Sequence, residues 1–567
     1  MTNQLPSHAE TMFDWDADQY TPFYTDLLNS ELTQATSQAW LAQWTRLADL
    51  TGEVESKLYT ATTVDTNDAI AEARFKKFLN EIYPVLMMNE DMLKRKLIAS
   101  GVDVPELTIP MRNIRSDVIL FREENLSLFS EEGELGMEYD KVIGAQTITW
   151  DGEEITLPQV QLTLKETDRA RREQIWRLAE ERRLQDKDVL DAQWRKFMNI
   201  RKQVTANAGT ADYRAFQWQS KHRFDYTPED AIAFNKAVEE VVVPVAAKLY
   251  ERRRKRLGVD TLRPWDILVD PDNNSALKPY ETVEELENTM ATLFDRVDPQ
   301  LGGYYRMMMN EELLDLDNRK GKAPGGYCTY FPNIKRPFIF MNAVGVHDDV
   351  NTLLHEGGHA FHAFESASLP YSQQQDVPME FAEVASMAME LIGAPYLSKA
   401  NGGFYSETDA NRARVEHLEG ILQFWGYMSV VDSFQHWIYT HHDIATDPSA
   451  CDEKWAELWS RYMVGIDYTG LEHFLSNRWR RQLHIFQLPF YYIEYGLAQL
   501  GAVQVWSNAL NNQAGALADY RKALALGGTV KLPDLFATAG AKLAFDTQTL
   551  ADAVELVEKT IYQLDPM

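Results

Sequence analysis

Residues 350–363 read V-N-T-L-L-H-E-G-G-H-A-F-H-A, and they constrain this chain more than any other stretch. They contain His355-Glu356-Gly357-Gly358-His359, an H-E-x-x-H pattern. On a helix, residues four apart lie one above the other on the same face. Both imidazoles can then reach one tetrahedral zinc ion, with Glu356 beside them as a base for a water molecule. Asp348 and Asp349 are expected to cap such a helix, and Leu353, Leu354, Phe361 and Phe364 supply its apolar positions. A helix with two unrelated histidines gives the same letters. Two glycines inside it argue otherwise, since each is about 1 kcal/mol less favourable there than alanine. Gly358 is expected on the histidine side, where a missing side chain admits a substrate backbone.

A catalytic zinc needs three protein ligands and an open position. The pattern H-E-x-x-H-x-x-G-x-x-H fails here, because His362 and Glu365 stand where it requires glycine and histidine. His362 is expected to hydrogen-bond near the site rather than to ligate, since it lies about a turn beyond the metal. Downstream, D-V-P-M-E-F-A-E-V-A-S-M-A-M-E over residues 376–390 predicts a second helix behind Pro378. Glu380, Glu383, Met387 and Glu390 share one face of it. Carboxylates on a face otherwise rich in Ala, Met and Phe are costly to bury, and a cation opposite removes that cost. Glu383 is the expected third ligand, with Glu380 and Glu390 orienting the histidines. A solvated acidic helix face is the plain alternative.

A second cluster is unusually aromatic and polar: His484, then Tyr491, Tyr492 and Tyr495. Helical spacing puts Tyr492 and Tyr495 on one face and turns Tyr491 away. A phenol stays protonated at neutral pH, so it can stabilise an oxyanion without adding negative charge. Without the zinc motif the cluster would read as a packed aromatic patch whose hydroxyls find structural partners.

Together, H-E-G-G-H-A-F-H, F-A-E-V-A-S-M-A-M-E and H-I-F-Q-L-P-F-Y-Y-I-E-Y resemble the thimet oligopeptidase and oligoendopeptidase F family of zinc peptidases, nearest its bacterial oligoendopeptidase F and Pz-peptidase branch. The resemblance covers roughly residues 325–506, and the N-terminal third shares only its helical character. It implies a mainly α fold, two helical lobes enclosing a deep substrate channel, with a small β-element beside the zinc helix. It implies one zinc ion per chain on His355, His359 and Glu383, with Glu356 as the base. It implies that His484, Tyr492 and Tyr495 line the site and contact the scissile carbonyl. The implied substrates are oligopeptides, cut at internal bonds. Other readings are a carboxypeptidase-like or different gluzincin exopeptidase, or a non-catalytic peptide-binding protein with structural zinc. Structural zinc favours four ligands including cysteine, and neither Cys328 nor Cys451 lies near the motif. The aminopeptidase signature G-x-M-E-N is absent before the motif.

The rest of the sequence narrows the setting. A net charge of −29 over 567 residues disfavours nucleic acid and anionic membranes as partners. Two cysteines make no disulfide framework and suit a reducing compartment. The first ten residues lack a basic start and an apolar core, and no run approaches 18 apolar residues, so a cytoplasmic protein is expected. Oligomeric state is left open. Apolar repeats of three and four predict helices over much of residues 20–98, led by Trp40, Leu41, Trp44, Leu47 and Leu50 and by Phe75, Phe78, Leu79, Ile82 and Leu86. A turn is expected near Trp150, strand-like alternation over 155–164, and a helical tract from Arg169 to about Ala208. A boundary at Gly209 divides an N-terminal helical region, 1–208, from a catalytic region, 209–567. The basic run at 252–256 reads as a helix end closed by Gly258. Loop 320–326 lacks the ending of a phosphate loop. Residues 337–342 predict a buried strand whose edge is a candidate to hold an extended peptide. Helices dominate after Ile392, with Trp425, Trp437, Trp455 and Trp459 as expected core.

Overall fold

The apolar repeats of three and four fold as helices, and their aromatic stripes are core. In the computed structural model, Ser37–Val64 is one helix that buries Trp40, Leu41, Trp44, Leu47 and Leu50. They pack with Phe78, Ile82 and Leu86, while Phe75 and Leu79 lie at the edge of that cluster. Both indoles are satisfied: Trp40 Nε1 donates to Leu27 O at 3.0 Å and Trp44 Nε1 to Glu90 Oε2 at 2.9 Å. The structure describes residues 4–566 apart from Asn67, Pro158, Asn273, Lys320 and Pro324, and leaves aside the side chains of Met137 and Asp140. Two residues of loop 320–326, and the first three of the chain, therefore lie outside the described residues.

The basic tract forms two helices, Arg169–Gln185 and Lys187–Ala208. Gly209 closes the second at φ 74°, and Gly258 closes Val243–Leu257 at φ 65°, a left-handed conformation that costs glycine nothing. Trp425, Trp455 and Trp459 are buried, and Trp437 is half-buried. Residues 155–164 differ from the expectation. A hairpin of β1 (Thr147–Trp150) and β2 (Glu153–Thr156) ends there, and Val160–Leu164 is a helical turn. Its buried residues, Val160, Thr163 and Leu164, follow the helical period over too short a span to be distinguished from alternation.

A second sheet contains β3 (Leu314–Asp317), β4 (Tyr327–Phe331) and β5 (Arg336–Ala343) in the order β3-β5-β4. Strand β5 runs parallel to β3 and antiparallel to β4, with Tyr327 opposite Phe340 and Phe331 opposite Arg336. The 337–342 segment is thus the central strand, not an edge. Its run Ile339-Phe340-Met341 is wholly buried, as a strand flanked on both sides requires. The sheet's edges belong to β3 and β4. Lys322, from the glycine-rich loop, donates to the carbonyls of Asp315, Asp317 and Met341 at 2.9, 2.8 and 2.7 Å. That lysine ties its loop to β3 and β5 rather than reaching for phosphate.

The chain is mainly helical, with this small β-element packed beside the motif helix. It forms two compact units, each discontinuous in sequence. The first comprises residues 1–123, 278–410 and 498–543 and contains the three-stranded sheet and the H-E-x-x-H helix. The second comprises 124–277, 411–497 and 544–567 and contains the β1–β2 hairpin, Gly209 and the 484–495 segment. No helix among the described residues is long and apolar enough to cross a membrane.

Candidate metal centre

The motif helix spans His347–Ser366. Its start is fixed from within, not by a preceding cap. Asp349, inside the first turn, accepts from the backbone N–H groups of Val344, Gly345 and Val346 at 2.9, 2.8 and 2.9 Å, and from the Tyr280 hydroxyl. His347 Nδ1 adds a bond to the Tyr405 hydroxyl at 2.8 Å. Sequence reading missed both tyrosines, which lie 69 and 58 residues away with nothing local to mark them.

The two glycines serve packing rather than substrate access. A Cβ at Gly358 would lie 2.5 Å from Ala385 O and 2.6 Å from Ser386 Cα, and one at Gly357 would lie 2.7 Å from Phe294 Cζ. Bare backbone at 358 lets the helix Met379–Gly393 press directly against the motif helix. Glu383 on that second helix thereby faces both histidines.

His355 Nε2 lies 3.4 Å from Glu383 Oε2, and His359 Nε2 lies 3.7 Å from the same oxygen. The three donor atoms all fall within 4.8 Å of one another. Tetrahedral zinc, with bonds of about 2.0–2.2 Å, separates neighbouring N and O ligands by about 3.3–3.6 Å. The two imidazoles and one carboxylate therefore fit such an ion in both chemistry and spacing. His355 Nδ1–H donates to Glu390 Oε1 at 2.7 Å, which orients Nε2 toward Glu383. Glu380 is buried on the same helix.

The electrostatics favour a cation. Burial pulls the His355 pKa down, but Glu383 and Glu390 outweigh it and hold the ring well above its ordinary value. His359 is pushed down to about 4, chiefly by burial, which keeps its ring neutral with a lone pair to offer. Glu356 is buried beside them. Burial pushes its carboxyl up to about 7, opposed by His355 and reinforced by Glu383 and Glu390. The backbone N–H of Cys328 on β4 faces that carboxylate and lowers it somewhat.

His362 does not hydrogen-bond through Nε2 among the described residues. It is buried edge-on against Phe381, ring centroids 6.0 Å apart, and burial holds its pKa down at about 3. Glu365 is engaged elsewhere, accepting from Arg521 Nε at 2.7 Å.

In the second unit, the rings of His484, Tyr492 and Tyr495 meet, at 4.8 Å for His484–Tyr492, 6.1 Å for His484–Tyr495 and 5.8 Å between the tyrosines. Tyr491 does not turn away. Its ring lies 5.6 Å from His484 and 5.0 Å from Tyr495. The helical-face argument fails because the helix opens only at Tyr492, and Phe490 just before it sits at φ 63°. Gln482 Nε2 bonds both His484 Nδ1 and the Tyr492 hydroxyl at 2.9 Å, and its Oε1 accepts from Tyr427 at 2.5 Å. Gln435 holds the backbone on either side, donating to His484 O at 3.2 Å and accepting from Phe490 N at 2.9 Å. Sequence reading missed both glutamines, which carry no signal apart from the bonds they make.

The family model of peptidase family M3 matches residues 162–554. The chromosomal oligoendopeptidase F of Lactococcus lactis subsp. cremoris is 24% identical over 340 residues, covering 57% of this chain and 52% of that protein. The oligopeptidase PepF of Bacillus subtilis strain 168 is 21% identical over 523 residues, 85% of this chain and 72% of PepF. The chain thus matches about half the length of the first of these curated relatives. Pz peptidase A, solved with an inhibitor, has the same fold at a TM-score of 0.90 and 27% identity, covering 97% of each chain.

Proposed function

Because the chain belongs to peptidase family M3, we propose that it is a zinc-dependent endopeptidase that hydrolyses internal peptide bonds of short oligopeptides. One observation carries this reading: the donor atoms of His355, His359 and Glu383 converge beside the buried carboxylate of Glu356. Those three residues hold one ion per chain. Bound there, zinc supplies Lewis acidity, polarising a carbonyl and lowering the pKa of water from about 15.7 toward about 7. Glu356 takes a proton from the attacking water and returns it to the leaving amine. Glu390 keeps His355 in the tautomer that presents Nε2. On the resemblance, His484, Tyr492 and Tyr495 contact the scissile carbonyl, with hydroxyls that stay protonated at neutral pH. An extended peptide would pair with the edge of β4 rather than with β5. The names of the relatives support oligopeptides as substrates, and a cytoplasmic location goes with that reading.

Digestion of a mixed-length peptide library, read by mass spectrometry, tests the reading directly. Short peptides should be cut at internal bonds. Removal of single terminal residues instead would overturn the endopeptidase assignment.

The ligand set has its own test. Glu383→Ala should drop zinc content well below one ion per chain after dialysis. Glu365→Ala, which removes the partner of Arg521 and Tyr304 but none of the three donors, should leave it unchanged. The reverse ranking, measured by elemental analysis, would show that Glu365 is the ligand.

A further inference from the structure

A carboxylate ligand has a freedom that an imidazole lacks. Its two oxygens are equivalent, and rotation about the last bond of a glutamate side chain meets only a broad, two-fold preference. Nothing in Glu383 itself therefore selects which oxygen it offers, or in what direction. Yet one oxygen, Oε2, faces His355 Nε2 and His359 Nε2 together, at 3.4 and 3.7 Å.

Ser386 lies three residues further along the same helix, Met379–Gly393, and is wholly buried. Its hydroxyl lies 3.2 Å from Glu383 Oε2 and 3.0 Å from Glu383 O, within donating distance of both. A serine inside a helix commonly turns its hydroxyl to a preceding carbonyl. Here the ligand's own carboxylate oxygen lies within the same reach, so one proton is shared between the backbone and the side chain of Glu383.

The turn that carries this serine is fixed by contacts outside its helix. The bare backbone of Gly358, on the motif helix, closes on it, since a Cβ there would lie 2.6 Å from Ser386 Cα. Tyr520, buried in the 498–543 segment, donates its hydroxyl to Ala385 O at 2.8 Å, one residue before Ser386. Burial, reinforced by Glu365, holds that phenol well above its ordinary pKa, so it keeps the proton it donates. All of these residues belong to the first unit, with the histidines.

We propose that Ser386 is a positioning residue for the metal: its hydroxyl holds Glu383 Oε2 in the orientation that meets both imidazoles. This rests on the zinc reading given above. A hydroxyl adds no charge, so Glu383 keeps its full attraction for a cation. Without that hydroxyl the carboxylate samples other rotations in the metal-free protein, and binding must then include the cost of ordering it. Groups that orient a ligand in this way typically contribute about 10- to 100-fold to metal affinity.

Zinc dissociation constants, measured on the full chain by competition with a chromophoric chelator, test this without any substrate. Ser386→Ala should still bind one ion per chain, with a dissociation constant about 10- to 100-fold above wild type. Its metal-free melting temperature should stay near wild type, because alanine is the better helix former and fits the same space. Tyr520→Phe separates positioning from packing. It removes the bond to Ala385 O and leaves the serine hydroxyl in place, so it should lower the melting temperature and keep zinc affinity close to wild type. A wild-type dissociation constant in Ser386→Ala overturns the proposal. So does an equal loss of affinity in both variants, since the site then depends only on how firmly the helix is packed. A wild-type protein that binds no zinc removes the metal reading, and the role of Ser386 with it. The wild-type titration thus tells the two failures apart.

Discussion

Glu356→Gln should lower kcat by about 10²–10⁴, the usual contribution of a positioned general base, while zinc content and melting temperature stay near wild type. The amide has the shape of the carboxylate and cannot accept a proton at neutral pH. Its carbonyl oxygen can still take the approach of the Cys328 N–H that the carboxylate enjoys. Replacing a buried carboxylate with a neutral group also removes a desolvation cost, so no loss of fold is expected. Glu356 contributes no atom to the cluster of His355, His359 and Glu383, so the metal should remain. Turnover of an internally quenched peptide, with elemental analysis and a thermal melt on the same preparation, separates the outcomes. Near-normal kcat with a full complement of zinc would sink the assignment.

What could be read from the sequence was what short-range periodicity encodes. His355 and His359 are four apart on a helix, and Glu383 falls on the face of the next helix that can meet them. Both facts follow from the 3.6-residue repeat. The stripes led by Trp40 and Phe75 were legible for the same reason, although Phe75 and Leu79 lie at the edge of the core. Strand pairing was not. Residues 337–342 announce a strand by their apolar run, but only the partners Leu314 and Tyr327, from elsewhere in the chain, make it central. The glycines at 357 and 358 were visible as a cost without a visible cause. Phe294 and the backbone at Ala385, which supply the cause, are fixed by tertiary packing. Tyr491 was misplaced because a helical period was assumed before the helix begins. Phe490, a bulky residue in the left-handed region, stops that period one residue earlier. Units assembled from three separate segments each leave no mark in linear order either.

The aromatic arm offers the sharpest separation of catalysis from packing. If Tyr495 donates its hydroxyl to the developing oxyanion, Tyr495→Phe keeps the ring and its contacts with His484, Tyr491, Tyr492 and Phe424. It deletes one hydrogen bond that forms mainly in the transition state. Loss of such a donor typically costs about 2.7–4 kcal/mol, or about 10²–10³ in kcat. KM should change little, because ground-state binding does not use the bond. The melting temperature should hardly move, because the apolar contacts persist. Tyr491→Phe is the matched comparison: its ring sits in the same cluster, so the same ring contacts are kept there too, and kcat should stay close to wild type. Tyr492→Phe is a poorer control, since that hydroxyl accepts from Gln482 and the change disturbs His484 through the shared amide. Small and equal kinetic effects at Tyr491 and Tyr495, or lost stability at Tyr495 with kcat intact, would mean that the cluster is core and that the oxyanion is met by other groups.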